Sequence, residues 1–252
     1  MQETVVYQRP KSWVDGVSSH YCPGCTHGII HRLLCEIIDE LDLQDKMVGV
    51  APVGCGALIY NYIDIDFIEA PHGRAPAVAT GIKRVRPELC VLSYQGDGDL
   101  GSIGCAEIVH AANRSENISV IFVNNAIYGM TGGQMAPTTL LGQKTTTSPL
   151  GRNAKTEGYP MKVSEMLAAL GSEAYIERVS VGQPRYIPAA KKAIRKAIKN
   201  QLDGKGFSMV EVLSTCPTNW GMHPTEAGAW LTEKMIPCYP LGKLKDFSEE
   251  AK

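Results

Sequence analysis

One strand–helix–strand unit near the middle of the chain constrains the fold more than any other stretch. Residues 89–94 form a short apolar run of buried-strand type, and Gly96-Asp97-Gly98-Asp99 follows it directly. Residues 102–114 then repeat apolar positions at helical spacing, and residues 118–123 form a second strand run that ends at Asn124-Asn125. The crossover of such a unit is right-handed, so both strands finish at one edge of a parallel sheet. That edge is where ligands of open α/β sheets bind. The expected class is therefore α/β, with a mostly parallel central sheet flanked by helices.

The residues delivered to that edge have a definite chemistry. Gly96 and Gly98 let backbone approach a ligand closely, and the helix that follows offers unpaired N–H groups suited to a diphosphate. Asp97 and the side-chain carbonyl of Asn125 are hard oxygen ligands, and the backbone carbonyl of Ile127 makes a third. With phosphate oxygens and a water they complete the octahedral oxygen shell that magnesium demands. A lone Gly-Asp-Gly is no more than a glycine-rich turn. Paired with Asn-Asn one helix and one strand later, it resembles the thiamine-diphosphate fingerprint.

The rest of the composition narrows the setting. At 252 residues with net charge −1, the chain lacks the basic excess expected of a nucleic-acid or membrane-surface binder. It has no uninterrupted apolar run of membrane-span length and no signal-peptide core, so a cytoplasmic protein is expected. Its eight cysteines then read as metal or cluster ligands where they gather, rather than as a disulfide framework.

Taken in order, residues 1–20 are polar and aperiodic, as in a surface arm or a subunit contact. Residues 26–41 carry Ile29, Ile30, Leu33, Leu34, Ile37, Ile38 and Leu41 on a core-facing helical stripe. His27 and His31 lie one turn apart on that helix and, with no acid or third ligand nearby, are expected to face solvent or an interface. Residues 47–53 and 65–70 read as strands. The second delivers His72-Gly73-Arg74 to a helix over residues 75–86, with Pro76 in its first turn and Pro87 as its stop. His72, at a strand end facing that helix, is a candidate for meeting an anion, set against an ordinary turn histidine.

Residues 131–160, rich in Gly, Thr and Pro, are too long and irregular for an ordinary connection. They are expected to cover the site and meet a partner subunit, with a domain boundary near Lys155 as the competing reading. A short helix (163–170), a strand (173–179), a basic amphipathic helix (184–202), a strand (207–213) and a helical piece (227–234) follow. Lys191, Lys192, Lys196 and Lys199 form a solvated face on that reading. One domain spans residues 1–252, with an N-terminal cysteine arm and a C-terminal extension.

The cysteines divide by position. Cys22 and Cys25 form a C-x-x-C, Cys55 sits in a glycine-flanked turn, and Cys216 ends the last strand run. These four can converge. Cys35, Cys90 and Cys105 fall inside helix or strand patterns and read as packing residues, and Cys238 has no visible partner. Four loop cysteines hold either zinc or a [4Fe-4S] cluster, and spacing alone does not separate the two.

Together with the thiamine motif, six segments closely resemble the β subunit of the 2-oxoacid:ferredoxin oxidoreductases, from residue 21 to about 239. They are Cys22-Pro-Gly-Cys25, Val53-Gly-Cys55-Gly, His72-Gly-Arg-Ala, Gly96-Asp-Gly-Asp99, the run from Asn124 to Gln134, and Ser214-Thr-Cys216-Pro-Thr. The resemblance implies a thiamine-diphosphate-binding fold. It makes Cys22, Cys25, Cys55 and Cys216 ligands of one [4Fe-4S] cluster, and Asp97, Asn125 and the Ile127 carbonyl ligands of Mg2+. It places Gly54, His72, Gly73, Gly96, Gly98, Asp99, Tyr128, Gly129, Met130 and Thr131 at the cofactor, with His72 as the candidate catalytic group.

The implied reaction is oxidative decarboxylation of a 2-oxoacid with coenzyme A and ferredoxin. The glutamate that activates thiamine in this superfamily comes from a separate pyrimidine-binding domain, so an α-type subunit is expected. A γ-type subunit and a ferredoxin-like δ subunit are expected beside it. The apolar residues around Cys55 (Ala51, Pro52, Val53, Ala57, Leu58, Ile59) favour 2-oxoisovalerate slightly over 2-oxoglutarate, whose distal carboxylate wants a cation; pyruvate is a third candidate. The rivals are a non-redox thiamine enzyme with structural zinc and a zinc-stabilised scaffold subunit.

Overall fold

Apolar runs long enough for buried strands recur through the chain, and the computed structural model, which describes residues 8–247, pairs them into one seven-stranded sheet. The strands are β1 (Met47–Ala51), β2 (Asp66–Glu69), β3 (Cys90–Gly96), β4 (Ser119–Asn124), β5 (Ala174–Ser180), β6 (Phe207–Leu213) and β7 (Gly242–Lys245). Their order is β2-β1-β3-β4-β6-β5-β7, and all neighbours are parallel except β5 and β7. β3, β4 and β6 are buried on both faces, which is why they read as continuous apolar runs rather than alternating ones.

Helices cover both faces. On one side α1 (His27–Glu40) lays Ile30, Leu34 and Ile37 against Ala190, Ala193, Ile194 and Ala197 of α5 (Ile187–Leu202) and the sheet beneath. On the other side α2 (Ala75–Val85), α3 (Cys105–Asn113) and α4 (Val163–Ala168) pack on the opposite face. The basic face of α5 is not simply solvated. Lys191 reaches Glu36 at 2.8 Å and Glu40 at 2.7 Å, and Lys196 reaches Asp246 at 2.5 Å, so those lysines clamp α1 and the C-terminal segment.

Four further departures separate the structure from the expected elements. The helix expected over residues 102–114 is split: a π-helical turn, Asp99–Ile103, precedes Gly104, and α3 begins at Cys105. Gly104 is the break because its backbone lies against Gly73, where a side-chain carbon on either residue would meet the other within 3 Å. The last helical piece is longer than expected, running through α6 (Pro217–Trp220), α7 (Pro224–Trp230), a π turn (Leu231–Met235) and α8 (Ile236–Cys238). β7, Gly-Lys-Leu-Lys, has no strand pattern of its own and exists by pairing with the edge of β5. Of the expected N-terminal arm, residues 1–7 lie outside the described residues. Ser12 is fully buried, its N–H and that of Lys11 capped by the Asp39 carboxylate of α1.

Residues 131–160 are irregular but internally bonded, and β4 before them pairs with β6 after them. The Arg152 guanidinium replaces a regular ladder, donating to the carbonyls of Pro137 (2.8 Å), Thr139 (2.7 Å), Gly158 (2.9 Å) and Tyr159 (2.8 Å). None of the described helices is long and apolar enough to cross a membrane.

Candidate active site

Four strands finish at one edge and each brings a motif: β1 brings Pro52 to Cys55, β3 Gly96-Asp97-Gly98, β4 Asn124-Asn125 and β6 Ser214 to Cys216. A cavity of about 140 Å³ opens between them. Gly54, Cys55, His72, Gly96, Asp97, Gly98, Asp99, Asn125, Ile127, Tyr128, Gly129, Met130 and Thr131 all line it, together with Pro52, Val53, Gly56 and His27. Gly73 does not. It packs behind His72 at φ +76, a left-handed conformation that favours glycine.

Asp97 is buried at the floor. Burial pushes its carboxyl up to about 6, against the pull of hydrogen bonds from the Thr138 hydroxyl, at 2.5 Å, and the Gly98 N–H, at 2.9 Å. A carboxylate in so dry a place calls for a cation. Asn125 lies beside it in the cavity wall, its side-chain carbonyl taking only a long 3.3 Å contact from the Ile127 N–H. Asn124 serves the scaffold instead, donating to Glu211 at 2.8 Å within a buried network that includes Arg178. The two adjacent asparagines thus have different tasks. Tyr128 lies so close over Gly98 that a Cβ there would strike its ring, which keeps this turn free of side chain.

Asp99 has its oxygens engaged by the protein itself. One accepts from the Gly73 N–H (2.9 Å), the Val53 N–H (3.3 Å) and His72 Nδ1 (2.5 Å), and the other accepts from Gln95 (2.6 Å). It fastens the loops after β1 and β2 to β3 and holds the His72 ring at the cavity. That linkage was invisible in the sequence, where Asp99 read as the end of the glycine motif and, by the resemblance, as a residue at the cofactor.

The cysteines gather at the other end of the cavity. The Cys22–Cys25 turn is held to the end of β6, where Thr26 bonds the Ser214 hydroxyl at 2.7 Å and the Thr215 N–H at 3.1 Å. The Thr215 hydroxyl in turn donates to the Gly24 carbonyl at 2.8 Å. A Cβ on Gly129 would meet the sulfurs of Cys55 at 3.1 Å and Cys216 at 3.4 Å, so those two thiols flank a bare stretch of backbone. Burial pushes the Cys25 thiol up to about 12 and Cys55 up to about 11, and the neighbouring cysteines push the same way. N–H groups oppose this: that of His27 on Cys25, and both the backbone and side chain of Asn219 on Cys216. Among the described residues no set of three or more His, Cys, Asp or Glu side chains closes tightly enough to ligate an ion as it stands. Four neighbouring thiols with an amide donor on one sulfur nevertheless fit a sulfur-bound metal centre; Cys216 is buried, Cys25 and Cys55 are half-buried and Cys22 is exposed. Cys35 and Cys90 are buried in the core and Cys105 is half-buried on α3, as expected of packing residues.

Both histidines of α1 differ from expectation. His27 is 3 % exposed and His31 1 % exposed, in a nest with His20, Tyr21, Tyr62 and Tyr94. Burial pulls His27 down to about 3 and holds His31 low as well, so both are neutral. The signal was present: positions 27 and 31 extend the stripe of Ile30, Leu34 and Ile38 by one turn. Thr138, by contrast, carries no sequence signal, since only the folded loop brings it to Asp97, whereas Asn219 meets Cys216 from three residues away on α6.

With this geometry in view, residues 53–212 match the family described as thiamine pyrophosphate enzyme, C-terminal TPP binding domain. A 2-oxoglutarate synthase subunit KorB of Methanocaldococcus jannaschii is 37 % identical, over 94 % of this chain and 84 % of its own length. The chain belongs to the family of thiamine-dependent 2-oxoacid:ferredoxin oxidoreductase subunits. It is also 49 % identical to the ketoisovalerate oxidoreductase subunit VorA of Methanothermobacter thermautotrophicus, over 92 % of this chain but 49 % of that one. The chain thus spans about half the length of such ketoisovalerate relatives. A solved 2-oxoglutarate:ferredoxin oxidoreductase from Magnetococcus marinus, with 2-oxoglutarate, coenzyme A and succinyl-CoA bound, superposes with a TM-score of 0.78. It is 27 % identical, over 96 % of this chain and 86 % of that one.

Proposed function

We propose that this chain is the β-type, diphosphate-binding subunit of a 2-oxoacid:ferredoxin oxidoreductase acting on a branched-chain substrate, 2-oxoisovalerate foremost. The products are acyl-CoA, carbon dioxide and reduced ferredoxin, with coenzyme A as acceptor of the acyl group. The observation that carries this reading is one cavity that joins the Asp97–Asn125 floor to the Cys55 turn, with no lysine or arginine in its lining. The distal carboxylate of 2-oxoglutarate would find no cation there, whereas Pro52 and the half-exposed Val53 and Met130 suit an isopropyl group. The higher identity to ketoisovalerate subunits than to 2-oxoglutarate ones supports the same choice.

Asp97, Asn125 and the Ile127 carbonyl are the residues to hold Mg2+, and Gly96, Gly98 and the N–H groups of the following turn are suited to the diphosphate. Cys22, Cys25, Cys55 and Cys216 are the residues to hold a [4Fe-4S] cluster. Thiamine diphosphate supplies the nucleophilic carbon and electron sink for decarboxylation, and the cluster takes electrons singly. His72, its Nδ1–H donated to Asp99, presents Nε2 to the cavity, where it is placed to exchange a proton with substrate. Tyr128, Met130 and Val53 line the same cavity. The activating glutamate is assigned to an α-type subunit, with γ-type and ferredoxin-like δ subunits completing the assembly.

Anaerobic purification of the native complex, assayed with 2-oxoisovalerate, 2-oxoglutarate and pyruvate, coenzyme A and an electron acceptor, tests the reading. Preference for 2-oxoisovalerate is expected. Preference for 2-oxoglutarate removes the substrate claim, and a colourless chain that carries zinc removes the redox claim.

A further inference from the structure

We infer that His27 is a positioning residue for the four-cysteine group: its Nε2–H donates a hydrogen bond to a sulfur of that group, in a tautomer fixed by Tyr94, and raises its reduction potential. The inference rests on the cluster named in the proposed function.

The argument begins with a phenol. Tyr94 is 1 % exposed, and its hydroxyl has His27 Nδ1, at 2.5 Å, as its hydrogen-bond partner. A buried hydroxyl proton needs an acceptor, so Tyr94 donates and Nδ1 accepts. A neutral imidazole with a bare Nδ1 carries its proton on Nε2. Among the described residues Nε2 has no acceptor, yet it is not one of the sealed polar atoms left without a partner, which are Glu107 Oε2, Asn200 Nδ2 and Ser208 Oγ. It therefore opens onto the cavity, whose wall His27 shares with Cys55.

The ring has little freedom to turn away. Tyr21 stacks on it with centroids 4.8 Å apart and planes 7° from parallel. Tyr94 is wedged under the turn after Cys55, where a Cβ on Gly56 would meet its ring at 2.7 Å. The backbone N–H of His27 also lies near Cys25, where it pulls the thiol's pKa down against the effect of burial. The residue thus offers sulfur two donors, one from the main chain and one from the side chain. Reduction adds negative charge that is shared by the sulfurs, so an N–H aimed at sulfur stabilises the reduced form more than the oxidised one.

The test is an EPR-monitored redox titration of the complex, with the signal of this chain's cluster identified as the one lost in Cys216→Ser. His27→Phe combined with Tyr94→Phe removes the donor while leaving no phenol stranded in the core. Its midpoint potential is expected to fall by about tenfold in the one-electron equilibrium, or about 59 mV, at unchanged iron content. Tyr94→Phe alone, which releases the tautomer, should shift it the same way by less. In 15N-histidine protein, the nitrogen coupling to the reduced cluster should vanish in the double variant. An unchanged potential at full iron content overturns the inference, including the case in which 2-oxoacid binding weakens instead and the donor belongs to substrate. A wild-type complex with no cluster signal from this chain overturns the cluster assignment, and this inference with it.

Discussion

The cavity has two ends built on opposite principles, and each keeps a histidine. At the diphosphate end, Asp99 takes the Nδ1–H of His72 and leaves the other nitrogen as an acceptor. At the cysteine end, the Tyr94 hydroxyl donates to Nδ1 of His27 and leaves the other nitrogen as a donor. One ring is half-exposed beside a carboxylate; the other is packed among aromatic rings with one edge in the cavity wall. The comparison shows that a histidine's polarity toward a ligand is set by the partner on its far side. On the proposed function, the first end would receive phosphate, metal and protons, and the second would hold the sulfurs.

The largest test of this division is Asp97→Ala. It should weaken thiamine-diphosphate binding at least about 100-fold, since each tenfold is about 1.4 kcal/mol and a metal ligand is lost. Calorimetry on the complex with Mg2+ reads this directly, while the visible spectrum of the cysteine end should stay unchanged. A spectrum lost together with binding would show that the two ends are not independent. Next in size, Cys216→Ser should strip most of the iron, whereas Cys105→Ser should leave iron content within error; equal losses would mean that the wrong four cysteines have been chosen.

Asp99→Asn sets an amide among four donors, so about 2–4 kcal/mol of stability should go, read from the urea midpoint of the purified chain. A midpoint at the wild-type value would demote Asp99 from its fastening role. Smallest is Tyr94→Phe, which deletes one buried hydrogen bond and should cost about 1 kcal/mol on the same scale. A cost as large as that of Asp99→Asn would mean that the phenol, too, is a structural hub.

Much of the site was legible because its parts are local. The apolar runs fixed where β3, β4 and β6 lie, and glycine or asparagine at their ends marked the ligand edge. Asp97, Asn125 and the cysteine turns needed no more than that. The boundary errors were not local in cause: the π turn at Asp99–Ile103 follows from the contact of Gly73 with Gly104, two residues far apart in sequence.

What the sequence determined by itself was the set of short-range patterns: strand runs, the helical stripe of α1, the glycine motif and the division of the cysteines. Tertiary structure alone decided who meets whom across the edge. Asp99, expected at the cofactor, lines the cavity and is also a fastener, because its neighbours in space come from the loops after β1 and β2. His27 and His31 turned from surface to interior because Tyr21, Tyr62 and Tyr94 close over them. The physical reason is the same in each case. A polar side chain is committed by its hydrogen-bond partner, and partners separated by dozens of residues leave no periodicity for a sequence to display.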